Sequence, residues 1–218
     1  MIAIIDYGMG NLRSVQKALE KVGATATFVT EPAALRDAPA AVLPGVGAFR
    51  DAISVLDRLG FSEAIREHVA AKKPLLGICL GLQLLMSASE EDGDYRGLDL
   101  VPGRCVRFTS QPGLKIPHMG WNTVTPTPQA ASSSSLEGVA AGSHVYFVHS
   151  YHVVPEDPTA VALTSDHGGP FVAAIESGPI FATQFHPEKS QGVGQQLLRN
   201  FAERAGASVA AAEPAVST

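Results

Sequence analysis

A chain of 218 residues, 45% hydrophobic and 17% charged, can bury the core of one domain and is too apolar to stay disordered. Its formal charge of −5 offers no basic stripe to neutralise phosphates, which argues against nucleic-acid binding. The N-terminal apolar run meets Asp6 at once and so reads as neither secretory signal nor membrane span; two cysteines, Cys79 and Cys105, are too few for a disulfide framework or a four-thiolate metal site, and a reducing cytoplasm fits best.

Ile2–Asp6 (IAIID) reads as a short buried strand, broken by Gly8 and Gly10 in YGMGN. Asn11 can cap the amphipathic stretch LRSVQKALEKV, where Leu12, Val15, Leu19 and Val22 recur at helical spacing, and Gly23 closes it. TATFVT is the next strand, AAVLPGVGAF a strand running into a glycine turn, and DAISVLDRL through AIREHVAAK is helical. PLLGI then reads as strand and LGLQLLMSA as helix. Strands alternating with helices imply right-handed crossovers and a mostly parallel sheet covered on both faces.

Beyond about Gly97 short β-type runs dominate: RCVRF, WNTVTP, HVYFVHSYHVV, AVALTS, FVAAIES and PIFATQF, punctuated by DHGGP and ESGP. VGQQLLRNFAERA forms a last helix, the tetraserine Ser132–Ser135 marks a solvated loop, and the alanine-rich tail after Gly206 lacks an apolar face. The expectation is one α/β domain over 1–205, with a disordered tail over 206–218. It has three layers: a mostly parallel central sheet, helices on both faces, and an antiparallel extension of that sheet.

In GICLG, Cys79 stands between Gly77 and Gly81 at the carboxyl end of an expected parallel strand, where open sheets hold ligands. Gly-x-Cys-x-Gly is the cysteine form of the nucleophile elbow. A sharp strand-to-helix turn strains the nucleophile's backbone, and side chains two residues either way would collide; glycine removes the collision. The turn sets the thiol at a helix N-terminus, which favours thiolate, and aims the Leu80 N–H above the sulfur as an oxyanion donor. On the pentapeptide alone, a buried structural cysteine with glycines for close packing stays open.

A thiol nucleophile needs a proton shuttle and an orienter. In ATQFHPEKS, His186 follows an expected strand, Pro187 fixes the turn, and Glu188 can reach the imidazole from two residues on. The glycines of LPGVG (Leu43–Gly47) would let a second set of backbone N–H groups approach a ligand, or form a plain turn.

Other features are less specific. DYGMGN carries Arg13 where a dinucleotide motif needs its third glycine. His149 and His152 have metal-like spacing without a third ligand and read as satisfied loop histidines, so no metal site is expected. SDH (Ser165–His167) reads as an exposed polar loop, SEEDGD (Ser89–Asp94) as a solvated helix end, and Cys105 as inert packing. Trp121, the only tryptophan, is either a half-buried core aromatic or an interface residue, and Met119 and Asn122 share that choice.

GICLGLQ, FHPEKS and LPGVGAF together resemble the class I (triad-type) glutamine amidotransferases. IIDYGMGNLRSV, PHMGWN and YFVHSY narrow the likeness to the glutaminase subunits of imidazole glycerol phosphate synthases, over about residues 1–205. The resemblance implies Cys79 as nucleophile, His186 as acid and base, and Glu188 as its orienter. It implies an oxyanion hole at Val46 and Leu80, with Gly45, Gly47, Gln83, His149, Ser150 and Tyr151 about the substrate glutamine. It implies no cofactor. Its implied partner is a (β/α)8-barrel cyclase, met near Asn11, Met119, Trp121 and Asn122, to which ammonia passes; a peptide of the PGVG loop would turn only when that partner binds its ligand. The rivals are the glutaminases of anthranilate or pyridoxal phosphate synthase, a binding module with a vestigial elbow, and a thiol hydrolase of intracellular peptides.

Overall fold

The computed structural model describes residues 1–207. The first half runs β1 (Ile2–Ile5), α1 (Leu12–Lys21), β2 (Ala26–Val29), α2 (Pro32–Asp37), β3 (Ala40–Gly45), α3 (Phe49–Leu59), α4 (Phe61–Ala70), β4 (Leu75–Cys79) and α5 (Leu80–Leu84). The second runs β5 (Met86–Ser89), β6 (Tyr95–Arg96), β7 (Val101–Arg107), β8 (His118–Pro126), β9 (Ser143–His149), β10 (Tyr151–Pro155), β11 (Val161–Asp166), β12 (Pro170–Ser177), β13 (Ile180–Thr183) and α6 (Gln191–Arg204).

The main sheet has nine strands in the order β2-β1-β3-β4-β13-β12-β11-β8-β9. From β2 to β13 all pairs are parallel, and from β13 to β9 all are antiparallel, which is the expected extension. Alternate side chains of a strand face opposite ways. Thus Ile2 and Ile4 of β1 pack with Val15 and Leu19 of α1 and Phe201 of α6, while Ala3 and Ile5 pack with Leu35, Phe49 and Phe61 from α2, α3 and α4. Two apolar cores on one sheet make three layers. No helix among the described residues is long and apolar enough to cross a membrane.

A second sheet, β10-β7-β5-β6, stands apart from the first. It accounts for several departures from the sequence reading. LGLQLLMSA is helical only to Leu84, because the segment after it finds partners elsewhere: Leu98 N–H donates to Leu84 O, Leu100 and Val101 N–H to Leu85 O, and Met86 becomes the start of a strand. HVYFVHSYHVV is two strands parted at Ser150, β9 in the large sheet and β10 in the small one. SEEDGD is no helix end: Ser89 closes β5, Glu90 accepts from the Arg107 N–H and Glu91 from the Phe49 N–H.

Smaller corrections follow from local geometry. The helical run from Asp51 to Lys72 breaks at Gly60, which takes φ +79° and so ends α3 and starts α4. The six-residue α2 carried no periodic signal strong enough to read. Asn11 precedes α1 but its side chain makes no capping bond. In SDH, Ser165 is buried and donates to Thr123 O; only Asp166 of the three is fully exposed. Gly206 and Ala207 donate to Glu203 O and Ala202 O, so they belong to the fold; the rest of the expected tail, 208–218, lies outside the described residues.

The tetraserine is only partly a solvated loop: Ser132 and Ser134 are exposed, but its other two serines turn inward. Ser135 is buried, its hydroxyl donates to Glu176 Oε1 at 2.7 Å, and Ser133 donates to the other oxygen of the same carboxylate. Arg204 of α6 pairs with Glu176 at 2.9 Å and also meets Ser135. This loop therefore ties α6 to the end of β12. Ser135→Val, which leaves Glu176 and Arg204 short of a partner, should destabilise the fold by about 1–3 kcal/mol, read from the midpoint of denaturant unfolding.

Candidate active site

Cys79 ends β4 with φ +55° and ψ −107°, a strained backbone for a residue with a side chain. Its flanking glycines are required by packing. A Cβ on Gly81 would stand 1.9 Å from Leu43 O of β3, and one on Gly77 would stand 2.9 Å from the Ala182 Cβ of β13 and 3.2 Å from the Gly81 backbone. The turn is thus wedged between the two neighbouring strands. Cys79 is 7% exposed and opens into a cavity of ≈ 320 Å³. Cys105, by contrast, is buried in β7, and burial pushes its thiol up to about 12.

His186 reaches the same cavity from the turn after β13. Its Nδ1–H donates to Glu188 Oε1 at 2.8 Å, and both side chains are almost fully buried. The turn is pinned from three sides. His186 N–H donates to Tyr146 O, the Ser190 hydroxyl donates to His186 O at 2.6 Å, and the Tyr146 N–H donates to Ser190 Oγ at 3.0 Å. Gly194 lets α6 approach Pro187, since a Cβ there would lie 1.9 Å from Pro187 O. His186 Nε2 makes no hydrogen bond of ordinary geometry and is left toward the thiol. Burial alone would depress the ring's proton affinity; the Cys79 sulfur and the Glu188 carboxylate more than offset it and raise the pKa to about 9. Such a set can pass a proton between sulfur and a leaving group while the carboxylate holds the tautomer.

Of the residues singled out in the sequence, Val46, Gly47, Leu80, Gln83, His149, Ser150 and Tyr151 line this cavity with Cys79 and His186. Gly45 lies behind it. A Cβ there would meet the Tyr7 hydroxyl at 2.8 Å, and that hydroxyl donates to Pro44 O at 2.9 Å, fastening the base of the PGVG loop. Burial, then Cys79, pushes the Tyr7 phenol up. Met119 and Trp121 are exposed on β8, 63% and 48% respectively, and Asn11 is exposed at the start of α1; none of these three lines the cavity. The Trp121 indole is therefore not a core aromatic.

Asn122 also lies outside the cavity but is engaged inward. Its Nδ2 donates to Asp166 O and to His118 Nε2. His118 Nδ1–H donates to His149 Nε2 at 3.0 Å, and His149 Nδ1–H donates to Tyr151 O at 2.8 Å. The backbone carbonyl at the end of this chain fixes both tautomers. Burial holds His118 down near 4 and His149 near 3, so both rings are neutral. His149 thus belongs to a strand rather than a loop, and its partner is an imidazole rather than a metal.

Sequence reasoning missed three groups here. Glu91 is the one carboxylate among the described residues lining the cavity, and burial raises its pKa. His118 had no motif of its own. Gln184, two residues before His186, is fully buried against Cys79 and Gln83. Only the charge run at Ser89–Asp94 gave a signal, and it pointed to solvent.

The raised His186 pKa gives a signed expectation. The folded value near 9 exceeds the ordinary 6.5, so the protonated ring stabilises the fold fully below about pH 6.5, and that contribution is lost as pH rises toward 9. Glu188→Gln removes one of the two groups holding the proton, and NMR titration of the His186 ring should show its midpoint at lower pH. An unchanged midpoint would mean that the carboxylate does not act on the ring.

Comparison with known proteins agrees with this geometry. The family model "Glutamine amidotransferase class-I" matches residues 3–205. An imidazole glycerol phosphate synthase subunit HisH of Syntrophotalea carbinolica is 53% identical over 214 residues, covering 93% of this chain and 100% of that protein. The HisH subunit of Moorella thermoacetica is 50% identical over 203 residues, covering 93% and 94%. The solved structure of a glutamine amidotransferase from Thermotoga maritima shares the fold, with a TM-score of 0.64 at 17% identity, covering 94% of this chain and 96% of that one. A strained cysteine between two glycines, a histidine and carboxylate beside it, and a family match across nearly the whole chain lead to one conclusion: this chain belongs to the class I glutamine amidotransferases.

Proposed function

We propose that the chain is the glutaminase subunit of an imidazole glycerol phosphate synthase. The observation that carries this reading is the conjunction of about half-identical HisH relatives with Cys79 and the His186–Glu188 pair opening on one cavity. Cys79 attacks the carboxamide carbon of glutamine, and the carbonyl electron pair moves to oxygen, held by the N–H groups of Leu80 and Val46. His186 gives its proton to the departing ammonia, leaving a glutamyl thioester. It then takes a proton from water, whose oxygen attacks the thioester and releases glutamate. Glu188 keeps the imidazole oriented throughout.

The rest of the cavity suits an amino acid's head group. Gln83 spends its Nε2 on Tyr151 O and Gln184 Oε1, which leaves its own carbonyl oxygen for the ligand. Glu91, fixed by the Phe49 N–H at 2.8 Å, offers a partly desolvated carboxylate to the α-ammonium. Gly47, Ser150, Tyr151 and His149 complete the walls.

Ammonia is consumed by a separate (β/α)8-barrel cyclase in the cytoplasm, docked over the exposed Met119 and Trp121 near Asn11 and Asn122. The Gly45–Val46–Gly47 segment, with Gly47 at φ +97°, is the part free to change when the partner binds its own ligand.

The decisive test is ammonia release from glutamine with and without the cyclase. Release should rise steeply in the complex and vanish in Cys79→Ala, while that variant complex still uses free ammonia. Equal turnover by the chain alone would overturn the partner dependence. Glu91→Gln should raise KM about tenfold or more with a smaller change in kcat, as expected for loss of a ground-state ion pair.

A further inference from the structure

Gln184 is a fully buried polar side chain whose partners are both groups of the active site. It follows β13, where its backbone N–H is already spent on Ala173 O. Its Oε1 accepts from Gln83 Nε2 at 3.2 Å, and its Nε2 stands 3.8 Å from Cys79 Sγ, with no other acceptor among the described residues. The direction of this amide is set by the network. Tyr151 O can only accept, so Gln83 must turn its NH2 toward it; that NH2 also meets Gln184, which must therefore present oxygen to Gln83 and nitrogen to the sulfur. A flipped Gln184 would set its NH2 against the NH2 of Gln83, two donors face to face.

From this we infer that Gln184 is the hydrogen-bond donor that holds and stabilises the anionic sulfur of Cys79, and that the same amide ties the nucleophile to Gln83 in the substrate pocket. A bond from a neutral N–H to sulfur is long and weak while the sulfur carries its proton, and strengthens when the sulfur is charged. It favours the thiolate before attack. It weakens as the sulfur–carbon bond forms and the charge passes to the carbonyl oxygen, and it returns when the thioester is hydrolysed. His186 and Glu188 supply charge from one side; Gln184 supplies a donor from the base of the cavity without one. The remaining titratable groups around the sulfur are Tyr7 beneath the PGVG loop, Cys105 of β7, and Glu91, His149 and Tyr151 in the cavity wall.

This inference rests on Cys79 being the nucleophile, so its test avoids glutamine. The rate of Cys79 alkylation by iodoacetamide is measured against pH in the full chain. Gln184→Met, similar in volume but without a donor, should slow alkylation about tenfold at neutral pH and move the profile about one unit upward, with wild-type circular dichroism. Profiles that superimpose overturn the inference. A Cys79 that fails to react even in the wild type overturns instead the reading of the site. Should the Met variant not fold, the wild-type protein still decides: the Gln184 side-chain NH2 signals in NMR should shift on alkylation of Cys79 and in Cys79→Ala. Signals blind to both changes overturn the inference equally.

Discussion

Everything at this site hangs on how closely the turn between β4 and α5 is pressed onto β3. The Gly81 α-carbon lies so near Leu43 O that no side chain fits, and the backbone at Cys79 absorbs the bend by crossing to positive φ. The register of the parallel strands then does the rest. Gly45 pairs with Cys79 across β3 and β4, so the PGVG loop leaves its strand beside the sulfur. Thr183 pairs with Ile78 across β13 and β4, so Gln184 and His186 leave theirs on the other side. Three adjacent strand ends thereby bring a thiol, a glycine-rich loop and an imidazole to one point, where open parallel sheets hold their ligands.

The three imidazoles around the cavity show how surroundings, not residue type, decide charge. His186 is buried beside the Cys79 sulfur and the Glu188 carboxylate, and holds its proton. His118 and His149 are buried against each other and a backbone carbonyl, and lose theirs. The neutral pair forms a relay from Asn122, on the strand that also exposes Met119 and Trp121, to Tyr151 O, which in turn orients Gln83. Within this relay each polar group has a partner, from the Asn122 amide through the two rings to the Tyr151 carbonyl.

The small second sheet and the serine loop have a supporting role. β10 sits in that sheet, yet its first residue, Tyr151, lines the cavity, so the break at Ser150 lets one continuous run serve both sheets. The bonds from Ser133 and Ser135 to Glu176 and Arg204 hold α6, and α6 in turn packs on Pro187 through Gly194. Positions remote from the cavity thus keep His186 in place.

Much of this was legible in the chain because it depends on neighbours along it. The βα alternation, the elbow glycines around Cys79 and the His186-x-Glu188 turn are short-range patterns, and each specifies its geometry locally. The strand at Met86, the buried Ser135, the cavity carboxylate Glu91 and the amide of Gln184 were not legible. Their conformation or role is set by partners more than ten residues away, such as Leu98 to Val101, Glu176, Phe49 and Cys79. Local sterics and periodicity act through the covalent chain and are written in it; hydrogen bonds and desolvation act through space, and only the folded register brings those groups into reach.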